Sequence, residues 1–159
     1  MNNKLVEIIQ TIKVELNENP NGLVIGKIRD GLTTELEICN NIQSYYDFLK
    51  VCDGARCGSI DFFGSDILLK YQFMVETIPG GQDNWFYIGQ ILYEPVVINK
   101  IDSKVYRFYR DNEDDSSGEC FGYLDEFLMD YVFGKKYSEI IPDAENDEWY
   151  QLLQKLKLF

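Results

Sequence analysis

Trp85-Phe86-Tyr87-Ile88-Gly89, followed by Val96-Val97-Ile98-Asn99-Lys100-Ile101 and Lys104-Val105-Tyr106-Arg107-Phe108-Tyr109, decides the fold of this chain. The runs are short and rich in aromatic and β-branched residues, which favour a pleated, half-buried strand. The last two flank the polar pair Asp102-Ser103, a hairpin pattern. Strands joined by tight turns pair antiparallel, and alternation sends half of their side chains to each face. Half of the aromatics Trp85, Phe86, Tyr87, Tyr93, Tyr106, Phe108 and Tyr109 are therefore expected in the core. The other half are candidates for a ligand groove or a protein interface, where Tyr and Trp are favoured.

Outward from this centre the periodicity turns helical. Leu5, Ile8, Ile9, Ile12 and Leu16 predict an amphipathic helix over 3–17, closed by the turn residues Asn17 to Gly22. Residues 23–28 read as a strand. Ile42, Tyr45, Tyr46, Leu49 and Cys52 give a second helix over 41–52, stopped at Asp53-Gly54. Ser59 to Phe63 reads as a short strand, and 67–83 is ambiguous, with a glycine turn at Gly80-Gly81. Phe121, Leu124, Phe127, Leu128, Tyr131 and Val132 predict a third helix ended by Gly134, and a last one covers 144–157. Strands in the middle and helices at both ends predict an α+β fold, a central, mostly antiparallel sheet packed with N- and C-terminal helices.

At 159 residues the chain is expected to form a single domain over 1–159, with its core in 40–133. Charges at Lys4, Glu7, Lys13, Glu15 and Glu18 interrupt any signal-peptide core, and no run approaches the ~18 apolar residues of a membrane helix. The expectation is a cytoplasmic protein without membrane contact. Cysteines 39, 52, 57 and 120 have no zinc-site spacing and are expected to be reduced and mostly buried. Histidine is absent, which removes Ser–His and Cys–His nucleophiles and histidine metal sites.

The charge is unevenly placed. Residues 111–148 hold 13 of the 27 acidic side chains but only two of the 15 basic ones, in a chain of net charge −12. Such a surface repels nucleic acid and anionic lipid and attracts basic proteins. The candidate partner-binding residues are Asp111, Glu113, Asp114, Asp115, Glu119, Asp125, Glu126, Asp130, Asp143, Glu145, Asp147 and Glu148. A calcium loop starting at Asp111 needs Gly sixth and Glu twelfth, where Ser116 and Gly122 stand, so no metal or cofactor is expected. Paired carboxylates doing hydrolytic chemistry are a remote alternative, because no pair is singled out.

Ser44-Tyr45-Tyr46-Asp47-Phe48-Leu49-Lys50-Val51-Cys52-Asp53-Gly54, followed by Ser59-Ile60-Asp61-Phe62-Phe63-Gly64, resembles the SUKH superfamily, in which a Tyr-x-x-Phe-Leu helix ends in Asn-Gly or Asp-Gly and leads to a strand. Trp85 to Gly89 resembles its aromatic strand, Val97 to Tyr106 its hairpin, and Phe121 to Leu128 its closing helix. Where the family often has Leu-Pro before the first of these helices, Asn41-Ile42-Gln43 stands here. The resemblance covers roughly 40–130 and implies a non-enzymatic protein, since the family pattern offers no catalytic residues. Bacterial members are implied to be immunity proteins that neutralise toxins, often nucleases, and fungal members regulators linked to cell-wall glucan synthesis. The leading expectation is an immunity protein, a monomer or weak dimer, that binds a basic toxin domain. A scaffold or regulatory adaptor of the fungal type is the runner-up.

Overall fold

The computed structural model describes residues 1–36, 42–110 and 118–159. Among them seven strands form one antiparallel sheet in simple chain order, β1 (Gly26–Ile28), β2 (Ala55–Cys57), β3 (Ile60–Phe62), β4 (Trp85–Ile91), β5 (Glu94–Asn99), β6 (Lys104–Arg107) and β7 (Glu119–Tyr123). Helices from both ends cover it, so the fold is α+β. Helix α1 (Asn3–Glu18) buries Leu5, Ile9, Ile12 and Leu16, and the Asn2 side chain caps it by accepting from the Lys4 amide. Helix α3 (Gln43–Val51) follows the short helical turn α2 (Gly22–Ile25) and strand β1, and buries Tyr45, Phe48 and Leu49. Phe62 of β3 meets the Phe48 ring of α3 at 5.2 Å and Phe127 of helix α6 (Leu124–Phe127) at 6.1 Å, which packs both helices against the sheet.

The hairpin turn between β5 and β6 forms as its polar residues dictate. Asn99 Oδ1 accepts from the Ile101 and Asp102 amides, and Asp102 Oδ1 accepts from the Lys104 amide. Short polar side chains that bond their own backbone this way are what make such residues turn-formers.

Strand β4 departs from simple alternation. Its residues Trp85 to Gly89 are all buried, because helical segments cover the face that the pattern leaves to solvent. These are α4 (Ser65–Leu68), a 3₁₀ stretch (Leu69–Thr77) and α5 (Gly81–Asn84). Strand β3 pairs only with Gly89 to Ile91, so the first half of β4 lacks a strand on that edge. Gln72 takes the place of the missing strand. Its side-chain amide donates to the Tyr87 carbonyl at 2.9 Å and accepts from the Tyr87 amide at 2.9 Å. Where β3 leaves β4, the buried Tyr45 hydroxyl sits between the Phe63 and Ile88 carbonyls, at 2.6 and 2.9 Å. Burial drives the Tyr45 hydroxyl well above its ordinary pKa, so it remains a donor.

The structure corrects the sequence reading at four places. Residues 23–28 are not one strand: 22–25 form a helical turn and only Gly26–Ile28 is extended. Strand β2 lies ahead of the strand read at 59–63, and the two form a hairpin across Gly58-Ser59. Phe121 belongs to strand β7, and the helix starts only at Leu124, continuing as a π-helical turn over Leu128–Val132. The last helix is α8 (Glu148–Lys155), preceded by a separate 3₁₀ turn (Ala144–Asn146). Of the strand aromatics, Trp85, Phe86, Tyr87 and Phe108 are buried, Tyr106 is half-buried, and Tyr93 and Tyr109 are exposed.

Gln72→Leu, which keeps the bulk and removes both bonds to Tyr87, is expected to cost about 1–3 kcal/mol in guanidinium unfolding. A loss within experimental error would show that the amide does not serve as the edge partner of β4.

Candidate functional site

The acidic C-terminal third divides by what each carboxylate touches. Asp111, Glu113, Asp114 and Asp115 lie outside the described residues. Glu119 opens β7 directly opposite Arg107 of β6. Arg107 is buried, at 5% exposure, and donates to Glu119 Oε2 from Nε at 3.0 Å and from Nη2 at 2.6 Å. The same guanidinium donates to the Ile140 carbonyl at 3.3 Å and to the Tyr109 hydroxyl, which in turn donates to Glu119. Glu119 is thus the counter-ion of a buried cation.

Asp147 caps α8. Its Oδ1 accepts from the Trp149 amide at 2.8 Å and the Tyr150 amide at 3.3 Å, and its Oδ2 accepts from the Tyr137 hydroxyl at 3.0 Å. Burial raises the pKa of that hydroxyl, aided by the neighbouring carboxylate, which keeps the donor protonated. Tyr137 lies in helix α7 (Tyr137–Ile140), an element that the periodicity does not reveal. Asp125 accepts from the Asn2 amide at 2.8 Å and so holds the start of α1. Glu126 accepts from the Tyr123 amide at 2.8 Å and closes the start of α6. Asp130 pairs with Lys136 at 2.8 Å, and Asp143 accepts from the Asn146 side chain at 2.9 Å.

Glu145 and Glu148 are exposed, and their carboxylates have no partner among the described residues. Glu139 on α7 shares this exposure; it is one of the 13 acids of residues 111–148 but is absent from the twelve read as candidates. Glu126, Asp130, Glu139, Asp143, Glu145 and Glu148 are the exposed acids among the described residues of 118–159, Asp130 within its pair to Lys136. Asp125 and Asp147 are only partly exposed and bound internally. The eight described candidates do not converge on one point: Asp125 sits at the α1 terminus, while Asp147 lies against the β2–β3 turn, within van der Waals reach of Gly58.

Chemically this arrangement offers field and hydrogen-bond acceptors. Among the described residues no group of three or more His, Cys, Asp or Glu is placed to hold a metal ion, and no helix is long and apolar enough to cross a membrane. The thiols of Cys52 and Cys57 are buried, with the Cys52 pKa pushed up to about 12 by burial, so neither forms a thiolate nucleophile near neutral pH. Cys120 is exposed on β7, and Cys39 lies outside the described residues. No protein-family model matches the chain, and no curated protein matches it significantly.

Glu119→Ala is expected to cost about 2–3 kcal/mol in denaturant unfolding, because it leaves a buried guanidinium short of its counter-ion. Glu145→Ala should stay within about 0.5 kcal/mol, as surface substitutions without partners do. Equal effects at the two positions would contradict this division of the acidic third.

Proposed function

We propose that this chain is a non-enzymatic, SUKH-type immunity protein of the cytoplasm, which binds a basic toxin domain through its acidic C-terminal third and covers the toxin's working surface. The observation that carries the reading is the charge partition: residues 111–148 hold nearly all of the net charge of −12. Its support in the fold is the set of exposed acids without an ion pair, Glu126, Glu139, Asp143, Glu145 and Glu148, that reach solvent beside the ion-paired Glu119 and Asp130. A concentrated field speeds encounter with a cationic partner, whereas a few desolvated anchors set the lifetime of the complex. The SUKH resemblance supplies the partner class. The order of its pieces agrees with the fold where α3 ends at Asp53-Gly54 and a strand follows.

The first test is genetic and kinetic together. The gene beside this one is expected to encode a large secreted protein with a basic toxic tail, and co-expression with this chain should restore growth. The triple variant Glu139→Gln, Glu145→Gln, Glu148→Gln should associate with that toxic domain roughly three- to tenfold more slowly at low salt and with a flatter salt dependence. An association rate equal to wild type would remove the steering role from these acids. A neighbourhood without a secreted toxin would favour the adaptor reading.

A further inference from the structure

Strands β1 to β4 carry one row of charged and polar side chains that is unevenly paired. Lys27 of β1 stands directly across from Arg56 of β2, Arg56 from Asp61 of β3, and Asp61 from Gln90 of β4. Residues directly opposite in an antiparallel sheet share one face, so these four form a single row. Lys27 and Arg56 are exposed. Like charges in directly opposed positions repel. Asp61 answers Arg56 at 2.9 Å and takes the Gln90 amide at 3.1 Å, while Lys27 has no ion-pair partner among the described residues. The row is one anion short, in a chain with carboxylates to spare.

An apolar surface adjoins it. A cleft of about 260 Å³ is walled by Leu23, Phe62 and Ile67 and rimmed by Lys27, Arg29, Arg56 and Asp61, with Arg29 already paired to Asp66 at 2.8 Å and Asp53 at 3.9 Å. Leu23 is largely exposed, at 72%. Beyond the row, the β4–β5 hairpin turns on Leu92 and Tyr93, whose φ angles are +50° and +70°. A two-residue turn with both φ positive normally takes Asn-Gly, and bulky side chains there carry strain. Tyr93 is 78% exposed. A turn that holds large side chains in a strained backbone and shows them to water is a feature that function, not stability, explains.

We propose that this β1–β4 face docks a short segment of a partner protein that bears a carboxylate next to a bulky apolar side chain. The carboxylate supplies the anion missing between Lys27 and Arg56, the apolar side chain enters the cleft, and Tyr93 packs over the segment. The cleft is smaller than the ~300–1,000 Å³ of small-molecule sites and holds one large side chain. A net charge of −12 opposes nucleic acid and anionic lipid, where many phosphates meet the field, far more than a single carboxylate. The proposal uses none of the acids of the C-terminal third and does not depend on the toxin reading.

Two exposed-site variants test it in the full chain. Lys27→Gln with Arg56→Gln removes the cations, with folding checked by circular dichroism. Leu92→Asn with Tyr93→Gly installs the turn that the backbone prefers. A display library of random dodecapeptides, selected on the wild type, should yield clones enriched in adjacent acidic and apolar residues. Their affinity should fall at least tenfold on either variant, while the turn variant melts about 2–4 °C higher. The proposal is overturned by clones without that pattern, by clones that bind both variants as well as wild type, or by displacement with single-stranded DNA in place of peptide. A wild-type dimer that the lysine–arginine variant dissociates would also overturn it, by making a second copy the occupant.

Discussion

One buried cation ties the acidic third to the sheet. Arg107 sits at 5% exposure, and its guanidinium reaches β7 through Glu119 and α7 through the Ile140 carbonyl. Taking such a charge out of water is costly, and only near-complete satisfaction of its donors offsets that cost. Glu119, Tyr109 and Ile140 together provide it, and the Tyr109 and Phe121 rings lie at 4.6 and 5.8 Å from the guanidinium carbon. The contact spans directly opposed positions of β6 and β7. An acid that composition counts as available for a partner is thereby committed to the fold.

Carboxylates that are paired at short range and those that face water act differently at a distance. The Arg107–Glu119 and Lys136–Asp130 pairs cancel over a few ångströms and add little beyond the Debye length of about 8 Å at physiological salt. Asp147 and Asp125 keep their charge while bonding to backbone amides, so they contribute to the field without being free to turn toward a partner. Glu139, Glu145 and Glu148 can do both. On the proposed reading, steering would draw on all the unpaired acids and direct contact on the last group.

Where the sequence was legible, it was because one physical signal acted alone. The stripe of α1, the β5–β6 hairpin and its Asp102-Ser103 turn, and the stop at Asp53-Gly54 all appear as read. The antiparallel sheet with helices at both ends follows from them. The misreading at Phe121 came from competing signals. Phe121, Leu124 and Phe127 keep helical spacing across a strand–helix junction, and the deciding residue is Gly122 at φ +85°, where a Cβ would lie 2.3 Å from the Glu126 carboxylate. Strand β2 was missed although Gly58-Ser59 is a hairpin signal, because its buried–exposed–buried alternation over Ala55, Arg56 and Cys57 is only three residues long. For the site, charge partition was visible and charge commitment was not. Nothing in the order of residues reveals that Glu119 meets Arg107, or that Lys27 faces Arg56.

The most direct measurement is a calorimetric titration of this chain with the toxic C-terminal domain expected beside its gene, at low and at physiological salt. The account predicts a tight one-to-one complex whose affinity falls steeply as salt rises. Absence of binding, or an affinity indifferent to salt, would contradict the claim that the acidic C-terminal third is a surface for a basic protein.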